Sequence, residues 1–196
     1  MIIRNINPPP GSAISVTTDG AAPIITIPQP SGGVSRYFVG LFLLFWLGGW
    51  FIGFRSALSE VLAGKAQPFL ILWLGGWTIG GCFAAWAVYR IFRPSVPETL
   101  QLGVDGVGYD SGIPPFQQGF GTVNRKDAWK SYFPKRTTVT VSRQDLRSLR
   151  LRETDLENRL TVDVASARVD LARAASEVER EWLHRVLTER YSLPAA

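Results

Sequence analysis

The 196-residue chain contains one cysteine, one histidine and one methionine. Cys82 has no second thiol to pair with, so a disulfide framework and a cysteine-based metal site are both excluded, and the redox compartment stays open. His184 stands next to Leu183 in the closing amphipathic segment and reads as a boundary histidine rather than a catalytic one. With no second imidazole, no other thiol and no serine in a strained Gly-x-Ser-x-Gly turn, acid–base, nucleophilic and metal chemistry all lack partners. The first 36 residues have neither a basic head followed by an apolar stretch nor a small-residue cleavage site, which argues against a removed signal peptide. Charge is the other scarcity: residues 37–54 and 68–89 carry none.

Those two uncharged runs, 18 and 22 residues long, are close to the roughly 20 residues that cross the hydrocarbon of a bilayer. Inside them the chain nearly repeats itself, with WLGGWFIG at residues 46–53 and WLGGWTIG at residues 73–80. The expectation is a two-helix transmembrane hairpin over residues 36–93, with spans at 37–54 and 68–92 and the first helix running on to residue 63. Gly64 supplies a helix stop, and Pro68 suits a first helical turn, where its missing N–H costs little. Small residues four apart allow close backbone approach in lipid, so Gly49, Gly53 and Ala57 are expected to pack against Gly76, Gly80 and Ala84. Trp46, Trp50, Trp73, Trp77 and Trp86 are too many for an interfacial belt alone and are read as lipid-facing or partner-facing. Arg4, Arg36, Arg90 and Arg93 flank the hairpin, against Arg55 and Lys65 in its connection, which predicts both termini in the cytoplasm.

Outside the hairpin the chain reads as soluble. Residues 1–35 form a Pro-rich segment holding a short β-hairpin about Asp19-Gly20, which is expected to dock onto another sheet, the membrane surface or a partner because two strands alone bury too little. Beyond the second span, strand patterns fall at 98–102, 107–110, 131–133, 137–142, 148–153, 159–164 and 167–171, with 111–128 a long loop. GVDGVG at 103–108 bridges two strands through an Asp105-Gly106 turn and opens no helix, so it is not a phosphate cradle. A helix over 176–191 closes the domain, with Ser176 and Glu179 at capping-box spacing, before a tail at 192–196. The fold class is therefore an α+β membrane protein: a helical hairpin plus a small antiparallel β barrel or sandwich, residues 96–191, capped by its C-terminal helix.

The paired WL-G-W segments, the glycine pair Gly80-Gly81, the PETLQL opening at 97–102 and the SEVEREWLHRVL helix together resemble a group of uncharacterised bacterial two-span membrane proteins with a pleckstrin-homology-like (PH-like) domain. The resemblance spans most of the chain at the level of pattern, and the long 111–128 segment departs from it. It implies a cytoplasmic platform that binds lipid or protein in the bacterial inner membrane, with no active site to carry over.

Residues 125–152 are the most charged stretch. Arg125, Lys126, Lys130, Lys135, Arg136, Arg143, Arg147, Arg150 and Arg152 face only Asp127 and Asp145, a net +7. Such a face suits an anionic leaflet or a partner protein, or it pairs with the acid-rich remainder of the chain. Trp129, Tyr132 and Phe133 interleave aromatics, yet a tethered position favours membrane or protein over nucleic acid. The functional expectation is a non-catalytic structural or assembly subunit of a larger membrane complex, energy-transducing or other, with lipid and neighbouring subunits as partners and no cofactor. The alternative is a stand-alone sensor of anionic lipid.

Overall fold

The computed structural model describes residues 6–20, 22–30, 33–65, 67–116, 133–153 and 157–194. The chain is an α+β protein that divides into two compact units, and the helical one interrupts the other. In chain order the elements are β1 (Ser15–Asp19), β2 (Ala22–Ile27), α1 (Ser35–Leu62), α2 (Pro68–Phe92), β3 (Glu98–Leu102), β4 (Gly106–Asp110), β5 (Thr138–Ser142), a 3-10 turn (Asp145–Ser148), β6 (Arg150–Glu153), β7 (Asn158–Val164), β8 (Ala167–Leu171) and α3 (Glu177–Tyr191).

Gly20 takes a φ of +67°, which only glycine adopts without strain, and turns β1 back onto β2 with Val16 opposite Ile25. The hairpin does not stand apart as a separate N-terminal segment. Its second strand pairs antiparallel with β3, setting Ile25 against Leu100 and Ile27 against Glu98, so among the described residues β1 to β5 form one five-stranded antiparallel sheet. The physical reason is burial: a lone hairpin cannot cover Ile25 and Ile27, which in the sheet are 0% and 1% exposed.

β6, β7 and β8 form a second, three-stranded antiparallel sheet. Ser148 belongs to the 3-10 turn rather than to a strand, because the Asp145 carboxylate accepts from the Ser142 N–H at 3.1 Å and from its hydroxyl at 2.7 Å, closing the turn first. Of the pattern at 131–133 only Phe133 is described, and it is not in a strand; residues 117–128 of the expected loop also lie outside the described residues. The start of that loop is tied down by a bridge between Val96 and Ile113. Gly112 permits it: at a φ of +59°, a Cβ there would come within 2.3 Å of the Val96 carbonyl oxygen.

The core of this unit gathers Leu100, Leu102, Val107 and Val141 from the first sheet with Leu160, Val162 and Leu171 from the second. Into it α3 inserts Trp182, Leu183, Val186 and Leu187, one stripe at helical spacing. The Ser176–Glu179 capping box is formed in full at the start of α3. At its end the Tyr191 hydroxyl is shared between the carbonyls of Gly103 (2.8 Å) and Gly106 (2.9 Å), fastening α3 to the β3–β4 turn.

Glu98, the first residue of β3, is 2% exposed. Its carboxylate accepts from the backbone N–H of Arg173 and of Ala174, each at 3.1 Å, and from the Tyr109 hydroxyl at 3.3 Å. Burial holds its carboxyl above the ordinary 4.5, against the pull of those donors. Glu98→Ala should cost about 2–5 kcal/mol, because two buried N–H groups and a hydroxyl lose their acceptor, and thermal unfolding of the purified chain measures it. The sign with pH follows: a raised folded pKa favours the fold below 4.5, and that contribution is lost as pH rises through the raised value. The corresponding slope of the unfolding midpoint should vanish in Glu98→Gln.

Candidate functional site

In the helical unit, α1 and α2 are long and apolar enough to cross a membrane, and only 6% and 11% of their most apolar windows are buried. Along α1 the less exposed positions include Gly40, Leu43, Leu47, Trp50, Gly53, Phe54 and Ala57; along α2 they include Leu74, Trp77, Thr78, Gly81, Ala84 and Ile91. This three-to-four spacing is the seam of a two-helix hairpin.

The seam is not the glycine ridge read from the repeat. Gly49, Gly76 and Gly80 are exposed, and a Cβ on any of them would meet nothing within 4 Å; only Gly53, Ala57 and Ala84 lie along the contact. The close approach belongs to Gly81, where an added Cβ would fall 2.2 Å from the Trp50 ring, and to Gly40, where it would fall 2.7 Å from Phe92. The cause is the bulk of the indoles. Trp50 lies over Gly81 and donates its Nε1–H to the Trp77 carbonyl at 3.0 Å, while the Trp77 ring reaches to 3.9 Å from a Cβ placed on Gly53. The second tryptophan of each repeat therefore packs on a glycine of the other helix, and the glycine pairs within the repeats are left outside.

The remaining tryptophans form a chain of ring contacts. Trp73 stacks on Trp77 at 4.4 Å, Trp46 meets Trp77 at 6.5 Å, Trp50 stacks on Phe54 at 5.1 Å, and Trp86 lies 5.5 Å from Tyr89 and 5.7 Å from Phe133. Beside the seam an apolar groove of about 710 Å³ runs over Gly48 and Gly49 between Phe45, Trp46, Trp50 and Trp77.

The basic stretch is broken up by the strands that carry it. Arg125, Lys126 and Lys130 lie outside the described residues. Arg136 is committed to Asp110, its Nε donating at 2.9 Å and its Nη2 at 2.5 Å, and this guanidinium holds the Asp110 carboxyl below its ordinary range. Arg143 donates to the Tyr191 carbonyl at 3.3 Å. Lys135 and Arg147 are exposed. Arg150 and Arg152 are exposed on one face of β6, and across from Arg152 in the register stands Arg159 of β7, a residue beyond the charged stretch that only strand pairing brings in. His184 of α3 is held below its ordinary pKa by burial and by the charge of Arg150. Among the described residues no three His, Cys, Asp or Glu side chains gather to hold a metal ion.

No family model, curated protein or solved structure matches the chain.

The seam predicts an asymmetry among the glycines. Gly81→Ala should destabilise the hairpin by about 1–3 kcal/mol, whereas Gly76→Ala and Gly80→Ala should stay within about 0.5 kcal/mol of the parent, read as shifts in tryptophan fluorescence melting.

Proposed function

We propose that the chain is a non-catalytic, membrane-anchored assembly subunit of a bacterial inner-membrane complex. In this reading α1 and α2 cross the bilayer and the β unit works at its cytoplasmic face. The observation that carries it is the placement of two long apolar helices, almost wholly unburied, between two strands that pair with each other. At about 42 and 37 Å, helices of 28 and 25 residues exceed the roughly 30 Å of hydrocarbon they would have to cross. Water would not tolerate Phe38, Phe42, Phe45, Ile52, Phe69 and Leu72 exposed on their flanks, and lipid does. Because β2 enters the hairpin and β3 leaves it, their pairing supports a reading in which both ends of the hairpin lie on one side of the bilayer after an even number of crossings.

Assembly is the role that leaves the outward glycines with a use. Gly48, Gly49, Gly75, Gly76 and Gly80 have open space beside them, the condition under which a helix of another subunit can approach closely in lipid. Antiparallel sheets closed by one C-terminal helix support the PH-like reading, which implies a binding platform rather than a reaction centre. Purification from membranes in mild detergent should recover stoichiometric partner subunits, and a monodisperse monomer would overturn the assembly role. Cysteine labelling from outside intact cells should reach a residue placed at Lys65 and spare one placed in the β unit; the reverse pattern would overturn the orientation.

A further inference from the structure

We propose that the outer face of α1 is a self-association surface, against which a second copy of this chain packs its own α1 in parallel about a two-fold axis. The inference rests on the membrane reading of α1 and α2 and names one partner for the assembly role. Phe38, Phe42, Phe45, Gly49, Ile52 and Ser56 are all exposed, and their alternating spacing of four and three residues is that of a heptad seam. With Phe42 and Gly49 as a positions and Phe45 and Ile52 as d positions, the contact with α2 through Gly40, Leu43, Leu47, Trp50 and Phe54 occupies b and f. Those positions lie roughly 150° away around the helix, so α1 carries a second seam on the side turned from α2.

At the centre of this outer face Gly49 stands between Phe45, 83% exposed, and Ile52, 72% exposed, one turn to either side. The result is a notch one turn long in the 710 Å³ groove, where a Cβ on Gly49 would meet nothing within 4 Å. A parallel helix pair seats each d side chain in a hole formed by an a, a d, an e and the next a of its neighbour. For Phe45 that hole is Phe42, Phe45, Trp46 and Gly49 of the second copy, and these four residues all line the groove. Knob and hole therefore occupy one face of one helix, and a face that complements itself is what a two-fold interface requires. The groove also continues the contact already formed, since Trp50 and Trp77 both close the α1–α2 seam and line the groove.

The test uses the full-length chain carrying Cys82→Ser, reconstituted in phosphatidylcholine vesicles, with single cysteines introduced and oxidised. Phe42→Cys, Phe45→Cys and Ile52→Cys should give disulfide-linked dimers, whereas Leu44→Cys and Phe51→Cys, exposed but off this face, should give few. Gly49→Leu fills the notch and should weaken dimerisation by at least about tenfold, read by Förster transfer between labelled copies. Its tryptophan fluorescence melting should match that of the parent. Phe45→Ala removes the knob instead, should weaken the dimer comparably, and covers the case in which Gly49→Leu does not fold. Gly76→Leu, on α2, should dimerise as the parent does. Crosslinks that peak at Leu44 and Phe51, or a dimer lost in Gly76→Leu and kept in Gly49→Leu, would overturn this face. A monomer that retains phospholipid through delipidating washes would overturn self-association and assign the groove to an acyl chain. A monomer recovered with subunits of other sequence would overturn self-association and leave the assembly role standing, and one recovered alone would remove both. A chain that is monodisperse without detergent would sink the membrane reading on which both rest.

Discussion

The ladder between β2 and β3 is the constraint on which the rest of the structure depends. Its four residue pairs, Ile24 to Ile27 against Gln101 to Glu98, join segments on opposite sides of both long helices into one sheet. Glu98 extends that joint in another direction, since its carboxylate receives the backbone of Arg173 and Ala174 just ahead of α3. One residue thus ties the strand that leaves the helical unit to the segment that launches the closing helix. The core follows from this arrangement: Ile25 and Leu100, neighbours across the ladder, both lose all solvent contact in the cluster that α3 completes.

Within the helical unit a different force decides the contact. Two rows of glycine could have met backbone to backbone, yet an indole is laid over a single glycine instead, with a hydrogen bond from Trp50 to the Trp77 carbonyl. A bond of that kind is worth most where no water competes for either partner. The arrangement also explains why the near repeat does not produce a symmetric contact: Trp50 rests on Gly81, four residues beyond Trp77, while Trp77 approaches Gly53, three beyond Trp50.

Local signals in the sequence were legible and non-local ones were not. The Asp19-Gly20 turn, the Ser176–Glu179 capping box and the apolar stripe of α3 depend on residues a few positions apart, and the structure contains each. That β2 would find β3 could not be read, because no feature of either strand specifies a partner across two intervening helices. The glycine ridge failed for an angular reason. Gly80 and Gly81 are adjacent in sequence but about 100° apart around a helix, and only the partner's bulky side chains decide which one turns inward. A count of charge along the chain does not reach Arg159, and the period-two alternation of β6 and β7 is the signal that finds it. The same count takes in Arg136, although Asp110, 26 positions away, already neutralises it.

The interruption of one sheet by two helices sets an order of events during synthesis. Ile27 leaves the ribosome about 70 residues before its mate Glu98, a delay of roughly 4 to 14 s at ordinary elongation rates. Throughout that interval β2 has β1 on one flank and an unoccupied row of N–H and C=O groups on the other, next to isoleucines that have no core to enter. The nascent chain therefore carries an adhesive strand until its hydrophobic helices have been handed over to their final surroundings, and closure of the ladder marks the moment when that hazard ends.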